Sequence, residues 1–197
     1  MLYQIFVFSV VYTITKSETY SYLFAYLIVL VTIVIKNRKS LMDDAKNIKK
    51  DTYGKVKHLF FMYFLFLILQ IIANTILYLK IGTISDNQTL LNDLISEKPL
   101  IMFITLAIIG PIIEELTFRY PYRNALTNKK VKFGIYTIIF ALSHITVTQN
   151  LIGILYIIPY LFLSLSISYS YYKTDNIYTS MFFHILNNIV AVLLVIL

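Results

Sequence analysis

Three groups of polar residues interrupt apolar runs in this chain: Glu114-Glu115 with Arg119, Phe140 with His144, and His184 with Asn187 and Asn188. Carboxylates, imidazoles and amides are the side chains that move protons, hold a water or a metal, and steady a developing negative charge. A charge at the centre of a bilayer costs at least ~2.5–3.5 kcal/mol even on lenient insertion scales. Such residues are therefore expected to face one another, not lipid.

Helical geometry separates their roles. Glu115 and Arg119 are four apart, share a helix face and are placed to form an ion pair, whereas Glu114 points roughly 100° away. Arg119 is thus expected to neutralise Glu115 and leave Glu114 free. His184 and Asn188 project to one side of their helix and leave Asn187 rotated off it, and Phe140 lies one turn before His144. Pro111, just ahead of the glutamates, predicts a kink that opens backbone polarity to a cavity. Two chemistries fit the side chains alone. Glu114, His144 and His184 would make a three-ligand zinc site with an open position, although no H-E-x-x-H helix is present. Membrane carboxylates and histidines also serve as relays in proton-coupled transporters, but the paired repeats of that class are not visible.

The elements that must position these residues are membrane helices. Of 197 residues, 58% are hydrophobic and 14% charged, and the mean hydropathy of +0.74 lies outside the soluble range. A bilayer core roughly 30 Å thick needs about 20 apolar residues per helix. Apolar segments fall at about 2–15, 19–35, 58–79, 99–118, 133–148, 151–172 and 178–197. They predict an all-α integral membrane protein, a bundle of about seven helices, or six if the first lies in the interface, around an intramembrane polar cavity. Glu114, His144 and His184 lie roughly 10–18 Å deep, counted at ~1.5 Å per residue from the nearest basic loop. A pocket between the fourth, fifth and seventh spans brings them together. The chain reads as one structural domain, with N-terminal helices over 1–95 and a motif-bearing core over 96–197.

Residues 36–57 hold eight Lys or Arg against three Asp, and 119–132 hold five basic residues, whereas 80–98 has two lysines against three acids. Both basic loops are expected to face the cytoplasm of a multi-pass cell-membrane protein. Tyrosines near span ends suit the headgroup level, and loop lysines beside anionic lipid account for the +7 net charge without nucleic acid. The absence of cysteine excludes disulfides, thiolate metal sites and a cysteine nucleophile.

The order Glu114-Glu115-x-x-x-Arg119, Phe140-x-x-x-His144, His184-x-x-x-Asn188, on separate apolar segments, resembles the CPBP family of intramembrane proteases. This family comprises the type II CAAX prenyl proteases and bacterial relatives that include bacteriocin-processing and immunity proteins and lysostaphin-resistance protein A. The resemblance covers roughly residues 95–197. It implies an endopeptidase acting on a peptide or membrane-protein substrate with an activated water. Glu114 would be the general base, His144 would help to activate the water, and His184 and Asn188 would donate to the oxyanion. Glu115, Arg119 and Phe140 would be supporting residues. The resemblance favours a glutamate-dependent, metal-free reaction, with zinc as the alternative. A non-catalytic scaffold for immunity or regulation is a second reading of the same motifs. His58, beside Lys55 and Lys57, reads as interfacial, and Ser164, Ser166 and Ser168 as aids to close helix contact.

Overall fold

The computed structural model describes residues 2–123, 126–145 and 151–196, and among these the chain forms helices joined by short connections, without strands. The helices are α1 (Leu2–Thr15), α2 (Glu18–Thr52), α3 (Val56–Ile81), α4 (Asp86–Glu97), α5 (Pro99–Met102), α6 (Gly110–Arg123), α7 (Lys129–Ser143), α8 (Ile157–Thr174) and α9 (Ile177–Ile196). A π-helical stretch, Phe103–Ile109, joins α5 to α6, and a 3₁₀ turn, Leu151–Tyr156, precedes α8. The protein is an all-α membrane bundle.

Among the described residues, five helices are long and apolar enough to cross a bilayer: α2, α3, the continuous stretch Pro99–Pro121, the stretch Ile154–Thr174, and α9. That corrects the expected six or seven. With 14 and 15 residues, α1 and α7 reach only ~21–23 Å at 1.5 Å per residue, short of the ~30 Å core. The fifth apolar segment was expected to continue to 148. In the structure α7 stops at Ser143 with His144 as its C-cap, and residues 146–148 of that segment lie outside the described residues.

The basic segment 36–57 is also not a loop. From Glu18 to Tyr53 there is no glycine or proline, and the polar half is rich in Lys, a good helix former. α2 therefore runs on to Thr52 and ends ahead of Gly54, whose φ of 73° suits a residue without Cβ. Tertiary contacts hold this extension in place. Asp44 is 3% exposed and binds both terminal nitrogens of Arg123 at 2.8 Å. It also accepts the first backbone N–H of α9, from Ile177, at 3.2 Å. Asn176 donates to the Asp44 carbonyl at 2.7 Å and to Asp51 at 2.9 Å.

This clasp draws the two basic segments to one end of the bundle. At the other end Thr19 donates to Glu97 at 2.6 Å, about 25 residues or ~37 Å up α2 from Asp44. There the segment expected as a loop over 80–98 forms α4, capped by the Ser85 hydroxyl on the Gln88 N–H. Leu94 and Ile95 of α4 pack against Met102, Ala107 and Val192.

The bundle interior is divided between apolar clusters and small hydroxyls. Val7, Val11, Ala25 and Val29 seat α1 and α2 on Ile109 and Ile113, while Leu116, Tyr136, Tyr171 and Met181 join α6 to α9. Within the serine series, Ser164 donates to the Thr137 carbonyl at 2.8 Å and Ser168 receives Arg119 at 3.4 Å. Their i,i+4 spacing places those two on one face of α8.

Removing Asp44 strands Arg123 and frees the start of α9. Asp44→Ala is expected to lower stability in detergent by the lower part of the about 3–5 kcal/mol typical of breaking a buried pair, because Arg123 keeps some solvent. A thermal melt equal to that of the parent would remove the clasp from this account.

Candidate active site

The site begins with a fault in helix register. The Gly110 N–H donates to the carbonyl of Thr105, five residues back, instead of Leu106, four back. The next donor in that register would be residue 111, but it is proline and has no N–H. The Leu106 carbonyl is thus left without a backbone partner from Gly110 or Pro111, and the Asn188 side chain of α9 supplies one at 3.0 Å. A side chain at 110 would be crowded. A Cβ there would lie 3.2 Å from the Thr105 carbonyl oxygen and 3.3 Å from the Tyr26 ring.

One turn beyond this bulge, α6 carries the two glutamates in different surroundings. Glu115 and Arg119 are both fully buried and pair at 2.8 Å. The guanidinium lies 5.8–6.0 Å from the ring centroids of Tyr136, Phe140 and Tyr171. Burying the pair is tolerable because each charge is met by the other and by aromatic faces. The same Glu115 oxygen accepts from His184 Nδ1 at 3.1 Å. Glu115 thereby fixes the proton on Nδ1 and turns Nε2 away from the pair.

That Nε2 points toward Glu114. Glu114 Oε2 stands 3.7 Å from His184 Nε2 and 3.6 Å from His144 Nε2, beyond direct hydrogen-bond range. Glu114 Oε2 makes no hydrogen bond among the described residues. His144 gives its Nδ1 proton to the Phe140 carbonyl at 2.8 Å, which leaves Nε2 as an acceptor when the ring is neutral. Phe140, fully buried, spaces the two imidazoles at ring-centroid distances of 4.5 Å to His144 and 5.1 Å to His184.

Glu114 and His144 open onto two adjoining cavities of about 170 and 270 Å³, both bordered by Tyr26, Asn87 and Gly110. Asn187 and Asn188 line the smaller one. The structure thus brings together Glu114, His144, His184 and Asn188, with Glu115, Arg119 and Phe140 behind them. His58 is elsewhere, bonded to the Tyr169 hydroxyl at 2.5 Å.

The zinc alternative needs a glutamate and two imidazoles within about 2.0–2.2 Å of one point. Among the described residues no three His, Cys, Asp or Glu side chains are placed to hold a metal ion. The reaction proposed from these residues is routed through water alone.

Several lining residues escaped the sequence reading. Tyr26, Gln70, Asn87, Gln88 and Tyr160 all border the smaller cavity. Gln70 had a signal, a lone amide after the apolar run of α3, but Tyr26 had none among the chain's many tyrosines.

Residues 96–190 match the family described as "Type II CAAX prenyl endopeptidase Rce1-like", in keeping with the resemblance drawn from the motifs. The chain is similar to "UPF0177 protein YxdF" of Lactococcus lactis subsp. lactis, with 36% identity over 113 residues, 56% of this chain and 60% of that protein. It is also similar to "Putative membrane peptidase YdiL" of Bacillus subtilis, with 29% identity over 171 residues, 84% of this chain and 67% of that protein. The chain thus spans about two thirds or less of the length of these relatives. No solved structure matches it at a significant level.

Glu115→Gln removes the negative charge that Arg119 and His184 share. The expected result is less folded protein in membranes, and a melt lowered by about 3–5 kcal/mol, as for a buried pair stripped of one partner. Unchanged yield and melting would show that the pair does not hold α6 to α9.

Proposed function

We propose, from the match of residues 96–190 to the family described as "Type II CAAX prenyl endopeptidase Rce1-like", that this chain is an intramembrane endopeptidase that hydrolyses a peptide bond with a water activated by Glu114. The observation that carries this reading is the Glu114 carboxylate, 3.6 and 3.7 Å from two imidazole nitrogens on the wall of a polar cavity. Those distances suit a small molecule held between the three groups better than a direct bond between them.

In the proposed reaction the water donates one hydrogen to Glu114 and the other to the neutral Nε2 of His144. Glu114 takes the proton as the water oxygen bonds to the scissile carbonyl carbon. The carbonyl oxygen becomes an oxyanion, met by Nε2–H of a doubly protonated His184 and by the Asn188 N–H that Leu106 does not engage. Glu115, ionised against Arg119, supports the positive ring through Nδ1. Preorganised donors of this kind are commonly worth about 3–4 kcal/mol each. The C–N bond then breaks, Glu114 returns its proton to the leaving nitrogen, and the products are an amine and a carboxylic acid, which ionises by releasing its proton to water.

The basic end of the bundle is assigned to the cytoplasm by the excess of Lys and Arg on α2 and after α6. The substrate in this reading is a peptide or membrane protein in the bilayer.

Glu114→Ala, His144→Ala and His184→Ala are each expected to abolish product formation without changing protein level. Comparing the membrane peptidome of cells carrying parent or Glu114→Ala protein reads this directly. An unaltered peptidome, with biological function retained, would mean that the protein binds its partner without cutting it.

Activity of the purified protein is expected to persist in chelators. Loss on chelation with recovery on adding zinc would overturn the metal-free reaction.

A further inference from the structure

The polar wall of the smaller cavity, apart from Glu114 and His144, is built largely of side-chain amides. Gln70 comes from α3, Asn87 and Gln88 from α4, and Asn187 and Asn188 from α9. No Lys or Arg and no second carboxylate lines it among the described residues. An amide carries a donor and an acceptor, as a peptide unit does, so a ring of amides complements a backbone and not a charged side chain.

Gln70 is the most informative of the five. It follows the apolar run from Phe64 to Leu69 in the membrane span α3 and makes no hydrogen bond to another described group. An amide in hydrocarbon without a partner costs roughly 1–3 kcal/mol, and leucine would serve the helix better. The other amides keep capacity toward the cavity as well. Asn87 donates to the Tyr160 hydroxyl at 3.1 Å, leaving its carbonyl oxygen. Gln88 donates to Asn92 at 2.8 Å, leaving its oxygen and a second N–H. Asn187 makes only a 3.5 Å contact with Asn188.

We propose that these amides form a subsite for the main chain of an unwound peptide segment with uncharged side chains, on the α4 side of Glu114. A membrane helix satisfies its own backbone, and unwinding it in a dry bundle orphans each N–H and C=O. The amides replace those bonds beside the carboxylate that needs an exposed carbonyl. Acidic side chains are disfavoured by Glu114, and a basic one would engage the carboxylate that the peptidase reading needs free. The subsite names the substrate class for the peptidase reading and rests on it, but its test needs no cleavage.

The chain has no cysteine, so Leu91→Cys, in the α4 wall, gives a single reporter thiol. Its rate of labelling by a water-soluble maleimide is measured in detergent with and without a short, end-blocked Ala/Ser/Leu peptide. The peptide is expected to slow labelling. Its alternately N-methylated form, and a Glu- and Lys-containing form, are expected to give little protection. Gln70→Leu, which suits an apolar span, is expected to weaken protection about tenfold, the size of one or two lost hydrogen bonds, and Gln70→Asn less. Ala191→Cys, on the α9 wall, repeats the measurement if Leu91→Cys does not fold. Equal protection by the N-methylated peptide, full protection in Gln70→Leu, or no protection by any peptide overturns the subsite. Adding Glu114→Ala is expected to leave protection intact. Amide-dependent protection together with a peptidome unaltered by Glu114→Ala would defeat the peptidase reading and leave the peptide subsite standing.

Discussion

The arrangement of this bundle depends on one buried salt bridge that neither partner could survive alone. Glu115 and Arg119 are both shut away from solvent, and removing two charges from water costs several kcal/mol per ion unless each is met at close range. The pair meets that condition by recruiting from three other helices. α7 contributes Tyr136 and Phe140, α8 contributes Tyr171 and Ser168, and α9 contributes His184. The Tyr136 hydroxyl also donates to the Arg119 carbonyl at 3.1 Å. Helix packing in lipid has no hydrophobic drive of its own. Polar convergence on Arg119 therefore supplies a reason for these four helices to adopt one mutual position.

Glu114 is defined by contrast with this pair. Arg119 is held by Glu115, and the Glu115 oxygen that binds it also fixes His184. What remains for Glu114 is the far nitrogen of the same imidazole, the nitrogen of His144, and the cavity. The main chain reinforces the difference. Because Gly110 bonds five residues back and Pro111 has no donor, the Leu106 carbonyl needs Asn188, and α9 is tied to α6 just before the glutamates and at Glu115 itself. π-Bulges are frequent at functional sites. Here the gain is specific: the bulge fixes the amide of Asn188 on the cavity that Glu114 also lines.

What could be read from the residues alone was local. The i,i+4 spacing of Glu115 with Arg119 and of Phe140 with His144 corresponds to contacts in the structure, because helix geometry dictates them. The need for a polar pocket followed from the cost of burying charge, and the apolar runs located the long helices. Longer-range relations were not legible. Nothing in one sequence says that Glu115 reaches the ring of His184 sixty-nine positions later, or that Asn188 answers a carbonyl freed by a proline. Helix ends were misjudged where hydropathy and helix propensity diverge. α2 outruns its apolar segment because its charged half still favours helix and Asp44 is fastened to Arg123. α7 ends at Ser143 inside an apolar segment, because apolar character alone does not set a helix end.

The first 95 residues illustrate the same limit in functional terms. They hold no motif, and the family match begins at residue 96. Yet Tyr26, Gln70, Asn87 and Gln88 line the cavity that Glu114 faces. A water-activating carboxylate needs its partners at fixed distances, which restricts residue types and makes a motif visible. A cavity wall needs only shape and a balance of donors and acceptors, which many residues satisfy. Closely constrained groups are therefore the part of such a site that a motif can name, while its walls leave only faint signals, such as Gln70, an amide in an otherwise apolar span that lines the cavity.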